Sequence, residues 1–281
     1  MSPSDDARPV ARIAMWSGPR TLSTALMRSF ENRPDTVVID EPLYGYYLAA
    51  TGIMHPGRDE ILASMPVQWP QVVGRLVAGE LPRGKTVFYQ KHMTHHLLPE
   101  IDRSRLSGLR HAFLIRDPRR LLASYAKVRD TPTLADLGLA QQVEVFRRFG
   151  GPVVDAADLA SHPEPTLKAL CAALGIPFDA AMLSWPAGPR RTDGVWARYW
   201  YASVWASTGF KSARPATPDP AAGPADGPAD DDSPHPATQR HDSPHPATDS
   251  PVTLPAELEP LAARCQPFYD ELAAHRLSQS C

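Results

Sequence analysis

The stretch Ala11-Arg12-Ile13-Ala14-Met15-Trp16-Ser17-Gly18-Pro19-Arg20-Thr21-Leu22-Ser23-Thr24 changes its periodicity halfway, and that change decides the fold. Ala11 to Trp16 is an apolar-rich run with no polar alternation, which predicts a strand buried on both faces. Ser17-Gly18-Pro19-Arg20 is turn chemistry. From there Leu22, Ala25, Leu26 and Phe30 recur three or four apart, which predicts a helix. A strand running into a helix through such a turn aims backbone N–H groups and the positive helix end at one point. Arg20 adds a planar cation, and Thr21, Ser23 and Thr24 add hydroxyls. The segment therefore predicts an anion cradle, suited to a phosphate. An ordinary capped turn would use the same Ser and Thr residues, so the cradle needs a second element beside it.

That element is Phe113-Leu114-Ile115-Arg116-Asp117-Pro118, continued through Leu121 to Ser124. His111 to Ile115 reads as a strand, Asp117 as a helix N-cap, and Pro118 as the first helical residue of a helix reaching about Val128. Arg116 then stands at a strand end and Ser124 eight residues later on the helix, placed to clamp a second phosphate. The triphosphate-binding pattern G-x-x-x-x-G-K-[ST] is absent, which argues against an ATP-dependent phosphotransferase.

Outward from these two elements the pattern repeats. Val37 to Ile39, Thr86 to Tyr89 and Val153-Val154 read as further strands. Asp59 to Gly79 reads as helical pieces broken at Pro66 and Pro70, Leu134 to Phe149 as one helix, and Glu164 to Leu174 as a helix stopped at Gly175. Strands alternating with helices predict an α/β three-layer sandwich around a mostly parallel sheet. Residues 213–255 differ. Eleven of these 43 residues are proline, and Asp232-Ser-Pro-His-Pro-Ala-Thr238 recurs ten residues later as Asp242 to Thr248. Such a tract buries too little apolar surface to offset its ordering entropy and is expected to be a disordered insertion. Leu258, Leu261, Ala262, Cys265, Phe268 and Leu272 then resume helical spacing. The expected domain is 10–212 plus 256–277.

The chain has 281 residues and a net charge of −2, from 29 basic and 31 acidic side chains, so it offers no basic field for nucleic acid or an acidic membrane. Cys171, Cys265 and Cys281 form no C-x-x-C pair, and no metal is expected. The start Met1-Ser2-Pro3-Ser4-Asp5-Asp6 lacks a basic then apolar leader, and no apolar run approaches the length of a membrane span. The expectation is a soluble, cytoplasmic protein without nucleic-acid or membrane partners.

Pro19 to Thr24 resembles the 5′-phosphosulfate loop of the sulfotransferase family, and Arg116 with Ser124 resembles its 3′-phosphate motif. The resemblance covers roughly residues 10 to 210. It implies a P-loop NTPase-like fold, 3′-phosphoadenosine 5′-phosphosulfate as donor co-substrate, and Pro19, Arg20, Thr21, Leu22, Ser23, Thr24, Arg116 and Ser124 as the residues that bind it. Leu22 stands where the family often has glycine. The family's later arginine-lysine-glycine motif has no clear match, and the aromatic-rich segment Trp196 to Phe210 falls in that region. Glu41, 21 residues after Arg20, resembles the general base of some members, and Lys91 resembles the lysine that neutralises the bridging oxygen. Arg20 joins them as a charge-neutralising group. His92 and His95 remain alternative bases, with Met93 at the position where cytosolic members carry histidine. Tyr44, Tyr46, Tyr47 and Trp69 fit an apolar small-molecule acceptor. A non-catalytic nucleotide-binding protein is the other reading left open; convergence of Arg20, Lys91 and Glu41 in one pocket would separate the two.

Overall fold

The computed structural model describes residues 9–126, 132–210 and 252–278. Among them five strands form one sheet: β1 (Ala11–Ser17), β2 (Thr36–Asp40), β3 (Val87–Met93), β4 (Arg110–Ile115) and β5 (Val153–Asp155). The order is β2-β3-β1-β4-β5 and every neighbouring pair is parallel. The first strand is thus central, and the chain turns outward on both sides of it. In such sheets ligands gather at the carboxyl ends of the strands where the order reverses.

The helices are α1 (Ser23–Glu31), α2 (Tyr44–Thr51), α3 (Arg58–Ser64), α4 (Trp69–Ala78), α5 (Pro118–Tyr125), α6 (Leu134–Leu137), α7 (Leu139–Phe149), α8 (Ala156–Ser161), α9 (Pro163–Ala173), α10 (Ala197–Trp200), α11 (Ala202–Trp205) and α12 (Glu259–Ala273). They cover both faces, giving a three-layer α/β sandwich. On one face Ile13, Met15 and Tyr89 pack on Leu26 and Phe30 of α1 and on Leu167, Leu170 and Cys171 of α9. On the other, Ala14, Trp16 and Phe113 pack on Val72 and Leu76 of α4, Val143 of α7 and Leu272 of α12. Each such fully buried apolar side chain contributes about 1.5–3 kcal/mol. Both faces being covered explains why β1 and β4 show no polar alternation.

Four elements depart from the sequence reading. The third strand runs on to Met93, because Gln90, Lys91 and His92, polar enough to read as a strand's end, are fully buried and satisfied there. The helix read from Leu134 to Phe149 is two, divided at Gly138 in the left-handed region (φ 65°). A Cβ at Gly138 would lie 2.5 Å from the His95 amide nitrogen, so glycine admits both the turn and the close approach. Pro70 opens α4 rather than breaking a helix. The packed chain resumes before residue 256: Leu254 is buried against Leu121 and Leu122. Helix α5 ends at Tyr125, and Val128, its expected end, lies outside the described residues with most of 213–255. No helix among the described residues is long and apolar enough to cross a membrane.

Candidate active site

The loop between β1 and α1 follows from three local constraints. Gly18 passes so close to α6 that a Cβ there would come within 2.8 Å of the Leu137 carbonyl oxygen. Thr21 turns its hydroxyl back to donate to the Gly18 carbonyl (2.9 Å). Arg20 and Leu22 both take left-handed backbone, φ 60° and 66°. Leucine in this region costs roughly 1–2 kcal/mol, and the surrounding contacts sustain it. Leu22 therefore follows a path that glycine takes without strain. It is the N-cap of α1 yet provides no side-chain acceptor, so the N–H groups of the first turn have no side-chain cap. Arrayed with Arg20, they suit an anion.

Arg116 and Ser124 join this loop directly. Asp117 caps α5 by accepting from the Arg120 amide (3.0 Å), which fixes the helix carrying Ser124. Ser124 Oγ accepts from Arg20 Nε (3.1 Å), and Arg116 Nη1 donates to the Arg20 carbonyl (2.5 Å). The two sequence elements thus form one unit. Burial, with the nearby charges of Arg20 and Arg120, lowers the Arg116 pKa to about 10. Crowded guanidinium groups of this kind favour a bound anion. Both Arg116 and Ser124 stand against Arg20 rather than on the wall of the adjoining cleft.

Across from the loop, the ends of β2 and β3 hold the acidic and basic side chains. Asp40 and Lys91 are register partners in the parallel ladder. Lys91 is fully buried and its three N–H donors are all used: Asp40 Oδ1 at 2.8 Å, Glu41 Oε1 at 2.6 Å and the Tyr201 hydroxyl at 2.8 Å. Tyr201 donates in turn to Asp40 Oδ2 at 2.6 Å. Glu41 has left-handed backbone (φ 42°), pinned by its amide donating to the Lys91 carbonyl (2.9 Å). Burial raises the Glu41 pKa against the pull of Lys91. For Lys91, burial disfavours the ammonium, but Asp40 and Glu41 outweigh it and its pKa is raised.

The loop and this cluster line one cleft of about 390 Å³. Pro19 to Thr24, Glu41, Lys91, Tyr44, His95, His96 and Tyr201 face it. His92 does not. As the neighbour of Lys91 in a strand it points to the opposite face of the sheet, where it stacks on Trp16 (4.3 Å between ring centres) and pairs with Gln90. Burial lowers its pKa to about 3, so it is a neutral core side chain. Of the aromatics expected to face an acceptor, Tyr44 lines the cleft. Tyr47 packs behind it on His96, Tyr46 reaches Glu100, and Trp69, partly buried, packs against the core beneath Arg105. Tyr201, Trp200 and Val204, from the aromatic-rich segment, supply a wall that the sequence reading left without a residue-level role. Among the described residues, no group of three or more His, Cys, Asp or Glu is placed to hold a metal ion.

Comparison with known proteins bears on the family. A family model described as "Sulfotransferase domain" matches residues 11–228. Two Arabidopsis thaliana proteins, "Branched-chain-amino-acid aminotransferase-like protein 1" and "2", are 44% and 40% identical over 205 residues, 71% of this chain. The matched region is 36% of each relative's length. Solved structures with a similar chain path include "Sulfotransferase Domain from the Curacin Biosynthetic Pathway" (TM-score 0.46, 18% identity, 68% of this chain and 83% of that one). A second is "Crystal Structure of Sulfotransferase from Alicyclobacillus acidocaldarius" (TM-score 0.44, 15% identity, 60% and 82%). With the family model spanning most of its length, this chain belongs to the sulfotransferase-domain family.

Proposed function

We propose that the chain moves a sulfuryl group from 3′-phosphoadenosine 5′-phosphosulfate to a hydroxyl, or an amine, of a small-molecule acceptor. The observation that carries this reading is the convergence of Arg20, Lys91 and Glu41 on one cleft. It joins an anion cradle to a carboxylate and an ammonium 2.6 Å apart.

Pro19, Arg20 and the amides from Thr21 to Thr24 hold the 5′-phosphosulfate, and Arg116 with Ser124 holds the 3′-phosphate. Glu41 takes the acceptor proton as the new oxygen–sulfur bond forms. The bond between sulfur and the bridging phosphate oxygen breaks, and adenosine 3′,5′-bisphosphate leaves with its charge countered by Lys91 and Arg20. His95, which also lines the cleft, is the alternative base.

The name of the two curated relatives speaks of aminotransfer. The lysine in this cleft argues for the sulfuryl reading here. Imine chemistry needs a neutral amine, and Lys91 is an ammonium held by two carboxylates. Calorimetric titration with adenosine 3′,5′-bisphosphate, without magnesium, tests the donor, and an acceptor screen follows. Absence of binding overturns the proposal; binding that requires magnesium favours a phosphotransferase.

A further inference from the structure

Lys91 has three donors and three partners, and the partners are not equivalent. The Asp40 side chain is 1% exposed and lies beneath the ammonium as its register partner, whereas Glu41 is 10% exposed and lines the cleft. Tyr201 is satisfied at every valence: its hydroxyl accepts from Lys91 and from Trp196 Nε1 (3.4 Å) and donates to Asp40. Its ring lies 5.2 Å from Lys91 Nζ, and its amide donates to Ala197 (2.7 Å), so α10 fixes it. An ammonium with all donors engaged cannot reach a substrate oxygen unless one partner gives way. Glu41 and Tyr201 both line the cleft, but Tyr201 is tied to Asp40 and Trp196 as well as to Lys91, and Asp40 is tied to Tyr201 as well as to Lys91.

We infer that Asp40 and Tyr201 are positioning residues: they hold the Lys91 ammonium by two of its donors, leaving Glu41 as the partner that exchanges when a substrate oxygen arrives. The inference rests on the sulfuryl-transfer reading for its chemistry. In that setting donor binding draws the third donor of Lys91 to the bridging oxygen and releases Glu41 to accept a proton, so the base becomes competent only once the donor is seated. Asp40 and Tyr201 keep the ammonium at the end of β3 throughout. The titratable groups facing Lys91 are Asp40 and Glu41 from the end of β2, Tyr89 from its own strand, Tyr44 from α2, His96 beyond β3, and Tyr201.

The chain contains five lysines, so ¹³Cε-lysine labelling of the full chain resolves Lys91 by comparison with Lys91→Arg. The wild-type Lys91 signal is expected to keep its ammonium shift above the ordinary lysine range. In Asp40→Asn the titration midpoint falls by about one pH unit or more, since burial then acts against a single carboxylate. The alkaline limb of kcat moves down by the same amount, because activity is lost as pH rises through the lysine pKa. Tyr201→Phe lowers kcat about tenfold with the affinity for adenosine 3′,5′-bisphosphate kept, and decides the matter should Asp40→Asn not fold. A Lys91 midpoint unmoved in Asp40→Asn, or an unchanged kcat in Tyr201→Phe, overturns the inference. The resonance titration needs no donor. A wild-type chain that fails to bind the bisphosphate would defeat the sulfuryl reading and still leave the positioning of Lys91 decided by that titration.

Discussion

Arg116 donates from Nη1 to the main-chain carbonyl of Arg20 across 2.5 Å, joining two sequence elements 96 residues apart. The same Arg20 donates from its side chain to Ser124. Neither element is therefore independent. The conformation of the first loop rests on a guanidinium at the end of β4 and a hydroxyl on α5.

Arg116→Ala removes both a cation and this brace. Donor affinity is expected to fall by about 1–3 kcal/mol, roughly fivefold to 150-fold. Calorimetry with adenosine 3′,5′-bisphosphate measures it. Unchanged affinity would remove Arg116 from the site.

Glu41→Gln keeps the shape of the cleft and removes the carboxylate proposed as proton acceptor. Turnover is expected to fall about 100-fold or more with donor binding spared. Near-normal turnover would move the base role to His95.

Gly138→Ala places a Cβ 2.5 Å from the His95 amide nitrogen at a residue with φ 65°. Left-handed strain and overpacking together cost about 2–4 kcal/mol. Urea unfolding reads the loss as a lower midpoint at constant slope. A midpoint equal to the wild type would show that the α6–α7 junction yields freely.

His92 and His111 are neutral in the folded chain, burial having lowered their pKa values to about 3 and about 4. Each binds a proton on unfolding below its ordinary pKa near 6.5, so the unfolded state gains as pH falls from there toward the folded values. Stability should decline by up to about 1.4 kcal/mol per pH unit for each of the two between about pH 6 and pH 5, the His111 share fading as pH nears its folded value of about 4. His92→Gln should remove one proton's worth of that slope, as measured by urea unfolding at a series of pH values. An undiminished slope would mean that His92 is not the residue responsible.

Legibility in the sequence varied by element for physical reasons. The β1–loop–α1 unit was readable because the apolar period changes at a turn of Gly and Pro, and α5 because Asp117-Pro118 is a strong start signal. Helix α2 was not, since Tyr44 to Leu48 are all buried and show no polar face. The true length of β3 was hidden by Gln90, Lys91 and His92, polar residues buried only because distant groups satisfy them. Strand geometry nevertheless separates Lys91 from His92: adjacent residues cannot face the same cleft. Tyr201 could not be read as part of the site. It stands 110 residues from Lys91, in a segment whose composition says aromatic and nothing about position.

Leu121 and Leu122 of α5, the helix that carries Ser124, are covered by Leu254, Leu261, Ala262 and Cys265. Arg119 on the same helix is paired with Glu259. During synthesis, then, the helix behind the first loop, already packed against Leu137 and Leu139, lacks the rest of its cover until residues 254–265 have left the ribosome. A nascent chain halted earlier would display greasy side chains on that helix.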